Sequence, residues 1–168
     1  MFKNKKNPIN DAIKFCNELK KPLDKGNKFF QPSNLEITSF DVDNKITNLI
    51  PQSAHIAFNV RFNDYFNSKS LIELIKKRLR KVGKNFVLET KVSGESFYNP
   101  SKELTKHLTS SVFETTGKKL SLSTTGGTSD ARFIKSISPC LEFGLVGKTM
   151  HKADEAVSLN DLKKLTKI

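Results

Sequence analysis

The segment from residue 55 to residue 62 constrains the fold more than any other part of the chain. Its residues alternate between two faces over the whole segment. One face carries Ile56, Phe58, Val60 and Phe62, and the other carries His55, Ala57, Asn59 and Arg61. A period of two residues is that of a β-strand, and a wholly apolar face has to be buried. We therefore predict an antiparallel sheet with helices covering the Ile56 face.

The patterns on either side of this strand predict the order of the neighbouring elements. Apolar residues at helical spacing indicate helices, with Pro8 at a first helical position and Ser70 as a cap. The expected elements are a helix over 8–20, a strand over 34–41, the strand just described, a helix over 70–82 ended by Gly83, and a strand over 86–92. One more strand in front would complete a split βαβ order. Residues 1–93 are thus predicted to form an α+β, ferredoxin-like domain that lacks its first strand and keeps about three strands.

A second region, residues 94–168, follows Ser93-Gly94. Capping residues with apolar spacing predict its helices, and short alternations predict its strands. The expected elements are a helix from Ser101 to Gly117, a strand at 120–122, a short helix through 133–134, a strand at 141–145, and a helix from Ser158 to the end. This last helix stops in mid-period and the first region lacks an opening strand, so we expect a fragment of a longer protein.

The net charge of +12, from 29 Lys and Arg against 17 Asp and Glu, narrows the classes of partner. The lysines are scattered, and no zinc-finger, RNP-like or GXXG motif accompanies them. We expect lysine-rich solvated faces and no nucleic-acid partner, and an anionic small-molecule substrate is a second use for the charge. The charge alone does not decide between these two. Two distant cysteines, Cys16 and Cys140, suit a reducing cytoplasm, and no apolar run is long enough to predict a membrane partner.

Three features could carry chemistry on the residues alone. The turn Thr125–Asp130 offers backbone N–H groups and hydroxyls to a carboxylate or an oxyanion, but an ordinary glycine turn with an N-cap fits it equally. Arg61 suits a two-pronged contact with a carboxylate, with Asn48 and Asn59 as neutral hydrogen-bonding groups, although a solvent-facing arginine has the same pattern. His151 is a candidate zinc ligand in a loop, but a single histidine cannot hold a catalytic metal, and on spacing alone an ordinary surface-loop histidine fits better.

Motifs spread along the whole chain give it a resemblance to a known family. They are Asn7-Pro8, Gly26–Phe30, Thr47–Pro51, Phe58–Phe62, Ser93–Phe97, Gly126–Phe133, Glu142–Gly144 and Met150–Glu155. On these motifs the chain resembles the aminoacylase/carboxypeptidase-like family of dinuclear zinc amidohydrolases, and within it the branch that acts on N-succinyl-LL-2,6-diaminopimelate. The resemblance implies a lid or dimerisation domain over residues 1–93. It implies that residues 94–168 are the closing part of an incomplete α/β zinc-hydrolase catalytic domain.

The resemblance also implies roles for individual residues. His151 matches a ligand of a site with two zinc ions, for which cobalt is an alternative metal. Arg61 and Asn48 match lid residues that approach the succinyl carboxylate, in a homodimer formed through the lid. Further substrate-binding positions are Ser93, Gly127, Thr128 and Ser129. The implied reaction is amide hydrolysis, which releases succinate and diaminopimelate for lysine and cell-wall synthesis in the cytoplasm.

The sequence departs from the family in ways that bear on activity. The other metal ligands, the catalytic glutamate and the histidine that polarises the scissile carbonyl belong to parts of the family pattern that this sequence does not match. We therefore expect a C-terminal fragment that is inactive by itself. Gly147 stands where many enzymes of this branch have an asparagine. Two alternatives stay open: a sister amidohydrolase such as acetylornithine deacetylase, and a basic dimerisation or binding module.

Overall fold

The computed structural model describes residues 7–98, 101–125 and 129–168. The chain divides into two compact units, Met1–Ser96 and Phe97–Ile168. The elements of the first unit are α1 (Pro8–Leu19), β1 (Asn34–Asp41), β2 (His55–Arg61) and α2 (Ser68–Val82). Those of the second are α3 (Lys102–Thr116), α4 (Ala131–Ile134) and α5 (Leu159–Lys167). None of the helices in the described ranges is long and apolar enough to cross a membrane.

Strands β1 and β2 form an antiparallel hairpin with one irregularity. The ladder runs from Asn34 opposite Arg61 to Asp41 opposite His55. Thr38 lies at a β-bulge, where the register shifts between its two neighbours. A bulge adds one unpaired residue to a strand and so changes which residues share a face. Leu35, Ile37 and Phe40 therefore lie opposite Val60, Phe58 and Ile56, although their spacing is uneven.

Helices α1 and α2 cover the predicted face of this hairpin. The buried core consists of Phe15, Leu19, Leu71, Ile75 and Leu79. Ile56, Phe58, Val60 and Phe62 pack against that core, while Arg61 is exposed on the other side. Each large apolar side chain that is fully buried stabilises the fold by about 1.5–3 kcal/mol. The predicted strand face and its two covering helices are confirmed.

The helix ends are held by side chains, one of them not the residue that we predicted. Asn67 is the N-cap of α2: its side chain accepts a hydrogen bond from the N–H of Ser70 at 2.8 Å. Ser70, the predicted cap, is the third helical residue, and its hydroxyl accepts from the N–H of Asn67 at 3.0 Å. The two together form a capping box. Arg78 of α2 donates to the carbonyls of Lys21 and Pro22 just after α1, at 2.7 Å each.

Three predicted strands are absent from the described residues. Residues 86–92, 120–122 and 141–145 have no strand assignment, so the sheet of the described residues has two strands and not about three. Phe86 and Leu88 nevertheless pack against the core of the first unit, as inward residues of a strand would. A strand exists only where its backbone pairs with a neighbour, and the described residues supply no such neighbour for these segments.

The second unit is built on helices with little enclosed core. Ser101 caps α3 through the N–H of Leu104, and Gly117 ends it in a left-handed conformation, both as predicted. Among the described residues of this unit, Val112 and Ala131 are the buried apolar ones. Large apolar side chains remain exposed, among them Phe113, Phe133, Ile137, Val146 and Leu159. So large an exposed apolar surface is typical of a part that packs against further protein.

Candidate functional site

Arg61 is the candidate site residue that the first unit presents most clearly. It is the last residue of β2, lies opposite Asn34, and is exposed on the face away from the helices. In the described part of the chain its guanidinium has no hydrogen-bond or ion-pair partner. A guanidinium with five free N–H donors matches a carboxylate in a two-pronged contact. The structure therefore leaves Arg61 able to bind an anion.

A polar cluster that sequence reasoning missed holds the chain beside Arg61. We call it the Asp24 clamp, and it consists of Asp24, Ser33 and Asn63. One carboxylate oxygen of Asp24 accepts from the N–H of Gly26 and from the side-chain amide of Asn63, both at 2.7 Å. The other oxygen accepts from the N–H of Ser33 at 3.1 Å. The Asp24–x–Gly26 turn was the one local signal in the sequence that could have pointed to it.

Hydrogen bonds also set the ionisation of this carboxyl group. Burial disfavours the charged form of Asp24, and it is the largest single influence on the pKa of this group, which it raises. The hydrogen bonds from Ser33, the Gly26 N–H and Asn63 together outweigh burial and lower the pKa of Asp24. Asp24 is therefore a carboxylate at neutral pH, and the clamp is a set of charge-assisted hydrogen bonds.

Asn48 lies far from Arg61 within one chain. It is exposed in a turn of the loop that joins β1 to β2. Asn44 orders that loop by donating to the carbonyl of Leu49 at 2.8 Å and accepting from the N–H of Ile46 at 3.1 Å. Arg61 is at the end of β2 remote from this loop, and the seven residues of that strand span roughly 20 Å at about 3.3 Å per residue. The structure does not bring these two predicted carboxylate-binding residues together.

The remaining substrate-binding candidates have different outcomes. Ser93 is exposed in an irregular segment of the first unit. Ser129 is half-buried in the second unit, and its hydroxyl accepts from the N–H of Ala131 at 3.2 Å, as in the ordinary turn interpretation. Gly127 and Thr128 lie outside the described residues. The proposed role of the glycine turn thus stays a prediction.

His151 is exposed in a loop that one threonine closes. The hydroxyl of Thr149 donates to the carbonyl of Ala156 and accepts from its N–H, each at 3.0 Å. The φ angle of His151 is 61°, a left-handed conformation that is strained for a residue other than glycine. Such strain is often found at functional sites. The second unit therefore presents the imidazole on an ordered but strained loop.

The described residues do not by themselves fit a zinc centre. Among them no group of three or more His, Cys, Asp or Glu side chains is arranged to hold a metal ion. A catalytic zinc needs about three protein ligands, and His151 supplies at most one. At the neighbouring Gly147, an added Cβ would lie 2.6 Å from Cε of Met150, so a larger residue there requires that side chain to shift. No step of a reaction can be derived from these residues alone.

A basic groove lies on another part of the first unit. It is lined by Lys76, Arg80, Lys84, Phe86 and Leu88 and has a volume of about 440 Å³. Three of the five lining residues are cations and two are apolar. The groove is one place where the positive charge of the sequence is concentrated, and it could receive an anion with an apolar part.

Comparison with known proteins assigns the first unit to a family. Residues 1–87 match the family described as the peptidase dimerisation domain, M20 type. The chain belongs to the M20 peptidase dimerisation domain family. The helix-covered hairpin of α1, β1, β2 and α2 is thus the described part of an M20 dimerisation domain.

Curated relatives extend the match of this M20 chain over both units. The chain is 52% identical over 168 residues to the succinyl-diaminopimelate desuccinylase of Pelagibacter ubique. That alignment covers 97% of this chain and 44% of the Pelagibacter protein. It is 48% identical to the enzyme of the same name from Xanthobacter autotrophicus, over 96% of this chain and 44% of that protein. For the Nitrobacter hamburgensis enzyme the identity is 46%, over 96% of this chain and 43% of that protein. The M20 chain therefore spans less than half the length of these relatives.

Proposed function

We propose that this chain is the dimerisation and substrate-recognition part of a cytoplasmic succinyl-diaminopimelate desuccinylase. The complete enzyme would hydrolyse N-succinyl-LL-2,6-diaminopimelate to succinate and LL-2,6-diaminopimelate, on the route to lysine and peptidoglycan precursors. The relatives that carry this name match at 42–52% identity over at least 95% of the chain. Residues 1–93 would be the lid, with a split βαβ order, and residues 94–168 the end of the catalytic domain.

The observation that carries this proposal is the guanidinium of Arg61, which has no partner among the described residues. A succinyl group ends in a carboxylate, whereas an acetyl group does not, so a substrate-binding arginine distinguishes the two acyl groups. Arg61 is exposed, lies at the end of a strand and has no partner among the described residues. It thus supports the desuccinylase over a sister enzyme that removes acetyl groups.

The separation of Arg61 and Asn48 supports a role for two copies of the chain. Arg61 lies at one end of β2 and Asn48 in the loop beyond the other end, and the strand between spans roughly 20 Å. This placement favours contact with one carboxylate by residues of two chains. In a homodimer formed through the dimerisation domain, one copy can supply Arg61 and the other Asn48. This arrangement would make each site complete only in the dimer.

The second unit would contribute to the metal centre and the rest of the substrate site. His151 would provide one zinc ligand, and the remaining ligands of the two zinc ions would come from elsewhere in the complete enzyme. Gly127, Thr128 and Ser129 would bind the end of the substrate remote from the succinyl group. The exposed apolar surface of the second unit would then pack against the remainder of the catalytic domain.

A chimera tests the proposal directly. The aligned segment of the Pelagibacter ubique enzyme is replaced by this chain, and the chimera should hydrolyse the succinyl substrate. Arg61→Ala should then lower kcat/KM for the succinyl substrate by an amount equal to about 2–4 kcal/mol of transition-state stabilisation. The loss should be much smaller for the acetyl analogue. Arg61→Lys should restore only part of the loss, because an ammonium group cannot make a two-pronged contact.

Lys77→Ala is the matched control, since it removes one positive charge from an exposed position on α2 that does not line the basic groove. It should leave both activities nearly unchanged. An inactive parent chimera would contradict the proposed function. Equal losses on the succinyl and acetyl substrates in Arg61→Ala would contradict the role of Arg61 in recognising the carboxylate.

The basic groove supports a second candidate function, a module that binds a polyanion. Three cations of this groove line one side of α2 and its C-terminal end. The test is binding of a mixed-sequence RNA to the chain at low salt. Binding that weakens steeply with salt and is lost when Lys76, Arg80 and Lys84 are replaced by Gln would favour this candidate. Absence of binding at low salt would dismiss it.

A further inference from the structure

The β1–β2 hairpin has one end that no connecting loop closes. The loop end consists of residues 39–41 and 55–57, which the chain joins through the loop between the strands. The open end consists of residues 34–36 and 59–61, and it includes Arg61. The ends of a two-stranded hairpin open easily, because few contacts oppose their fraying. A residue that binds substrate from the open end therefore needs another means of holding the strands together.

The Asp24 clamp joins the two strands at this open end. Ser33 immediately precedes β1, and its N–H donates to Asp24 at 3.1 Å. Asn63 follows β2 by two residues; its side chain donates to Asp24 at 2.7 Å, and its N–H donates to the hydroxyl of Ser33 at 3.1 Å. One carboxylate on a preceding loop thus holds both strand ends, beyond the last pair of the ladder.

Burial makes the clamp stiff. The side chain of Asn63 is buried: the residue is 2% exposed, and no other polar residue in the described part of the chain is buried. Its side-chain amide also donates to the carbonyl of Gln31 at 3.1 Å, and its side-chain oxygen accepts from the N–H of Tyr65 at 3.0 Å. A fully hydrogen-bonded buried amide has one favourable orientation, because any rotation leaves a polar group without a partner.

We infer that Asp24 is a positioning residue for Arg61: through Ser33 and Asn63 it fixes the backbone from which the guanidinium reaches the succinyl carboxylate. This inference rests on the proposed function for the identity of the carboxylate. The side chain of Arg61 has no hydrogen-bond or ion-pair partner among the described residues, so the position of its backbone sets where the guanidinium can reach. A fixed backbone reduces the entropy that is lost when the arginine binds, and it sets the geometry of the contact.

Hydrogen exchange on the 168-residue chain tests the clamp without any need for catalysis. Asp24→Ala should accelerate amide exchange at the open end by at least about tenfold, since a hydrogen bond to a charged group is lost. Exchange at the loop end should change by less than about twofold. Asn44→Ala is the matched control: it removes an ordering asparagine from the connecting loop and should leave the open end unchanged. Equal acceleration at both ends, or none at the open end, overturns the inference.

The substrate preference of the chimera distinguishes a role of Asp24 in positioning Arg61 from a role in the stability of the fold alone. Asp24→Ala should lower kcat/KM about tenfold to a hundredfold more for the succinyl substrate than for its acetyl analogue. Asp24→Asn should restore part of the preference, because its amide oxygen can still accept from Gly26 and Asn63. Equal losses on both substrates overturn the positioning role. A parent chimera without activity contradicts the proposed function instead, and the exchange measurement still decides whether Asp24 holds the open end.

Discussion

Replacement of Gly26 by alanine should lower the free energy of unfolding of the first unit by more than a left-handed backbone alone explains, because the added Cβ would also meet backbone atoms. Gly26 lies in the loop of the Asp24 clamp, with a φ of +70°. An added Cβ would lie 2.7 Å from both the carbonyl oxygen of Phe30 and the nitrogen of Pro32. Both are backbone atoms, so the loop itself has to move, and the N–H of Gly26 moves away from Asp24.

The expected magnitude follows from three contributions. A left-handed alanine costs about 1–2 kcal/mol, and the smaller entropy of the unfolded chain returns about 0.4–1 kcal/mol. Forced movement in a packed region adds about 1–3 kcal/mol. Gly26→Ala should therefore cost about 2–4 kcal/mol. Gly117 has a φ of +68° and nothing within 4 Å of an added Cβ, so Gly117→Ala should cost about 1 kcal/mol or less.

Urea unfolding followed by amide NMR signals measures both variants, since signals of α2 report on the first unit and signals of α3 on the second. The difference between the two glycines isolates the contact with the backbone of residues 30–32. Equal losses at Gly26 and Gly117, or a loss below about 1 kcal/mol at Gly26, would refute the steric reasoning.

Acid, core and metal perturbations have separate expected outcomes. Because the pKa of Asp24 is lowered in the folded chain, its stabilising contribution should be complete above about pH 5 and be lost as the pH falls through the folded-state value; Asp24→Asn should remove this part of the acid sensitivity in urea titrations. Leu79→Ala should lower the free energy of unfolding by about 2–5 kcal/mol, whereas Leu159→Ala, at a position 74% exposed, should change it by less than about 0.5 kcal/mol. In the chimera, His151→Ala should bind one zinc ion fewer per subunit by elemental analysis, and an unchanged zinc content would contradict its assignment as a ligand.

Local patterns predict the first unit well because its signals are strong and contiguous. The alternation through Phe58 and Val60 determines which face of β2 is buried, and a shift of one residue would place Arg61 in the core. The cap of α2 was harder to predict because Asn67 and Ser70 are both good capping residues. The box that joins them resolves this ambiguity only when the two are considered as a pair.

Interactions between distant residues leave no comparable pattern. The Asp24 clamp depends on a hydrogen bond to Asn63, which is 39 residues further along the chain. No local propensity reports such a contact. Residues 86–92 show the opposite failure: their alternation is real, and Phe86 and Leu88 are inward, but a strand also needs a backbone neighbour. Sequence periodicity predicts which side of a segment is buried, not whether the segment is paired.

The bulge at Thr38 gives β1 a tolerance to changes in length. Ile37 and Phe40 lie opposite Phe58 and Ile56, three residues apart where a regular strand would have two. Deletion of Thr38 would bring them to a regular spacing and keep Leu35 on the face that packs against the core. Related chains whose β1 is one residue shorter at this position can therefore be superimposed on this one both before and after the gap. In comparisons of this domain, a gap placed at position 38 would carry no change of fold, whereas one placed in β2 would reverse the direction of Arg61.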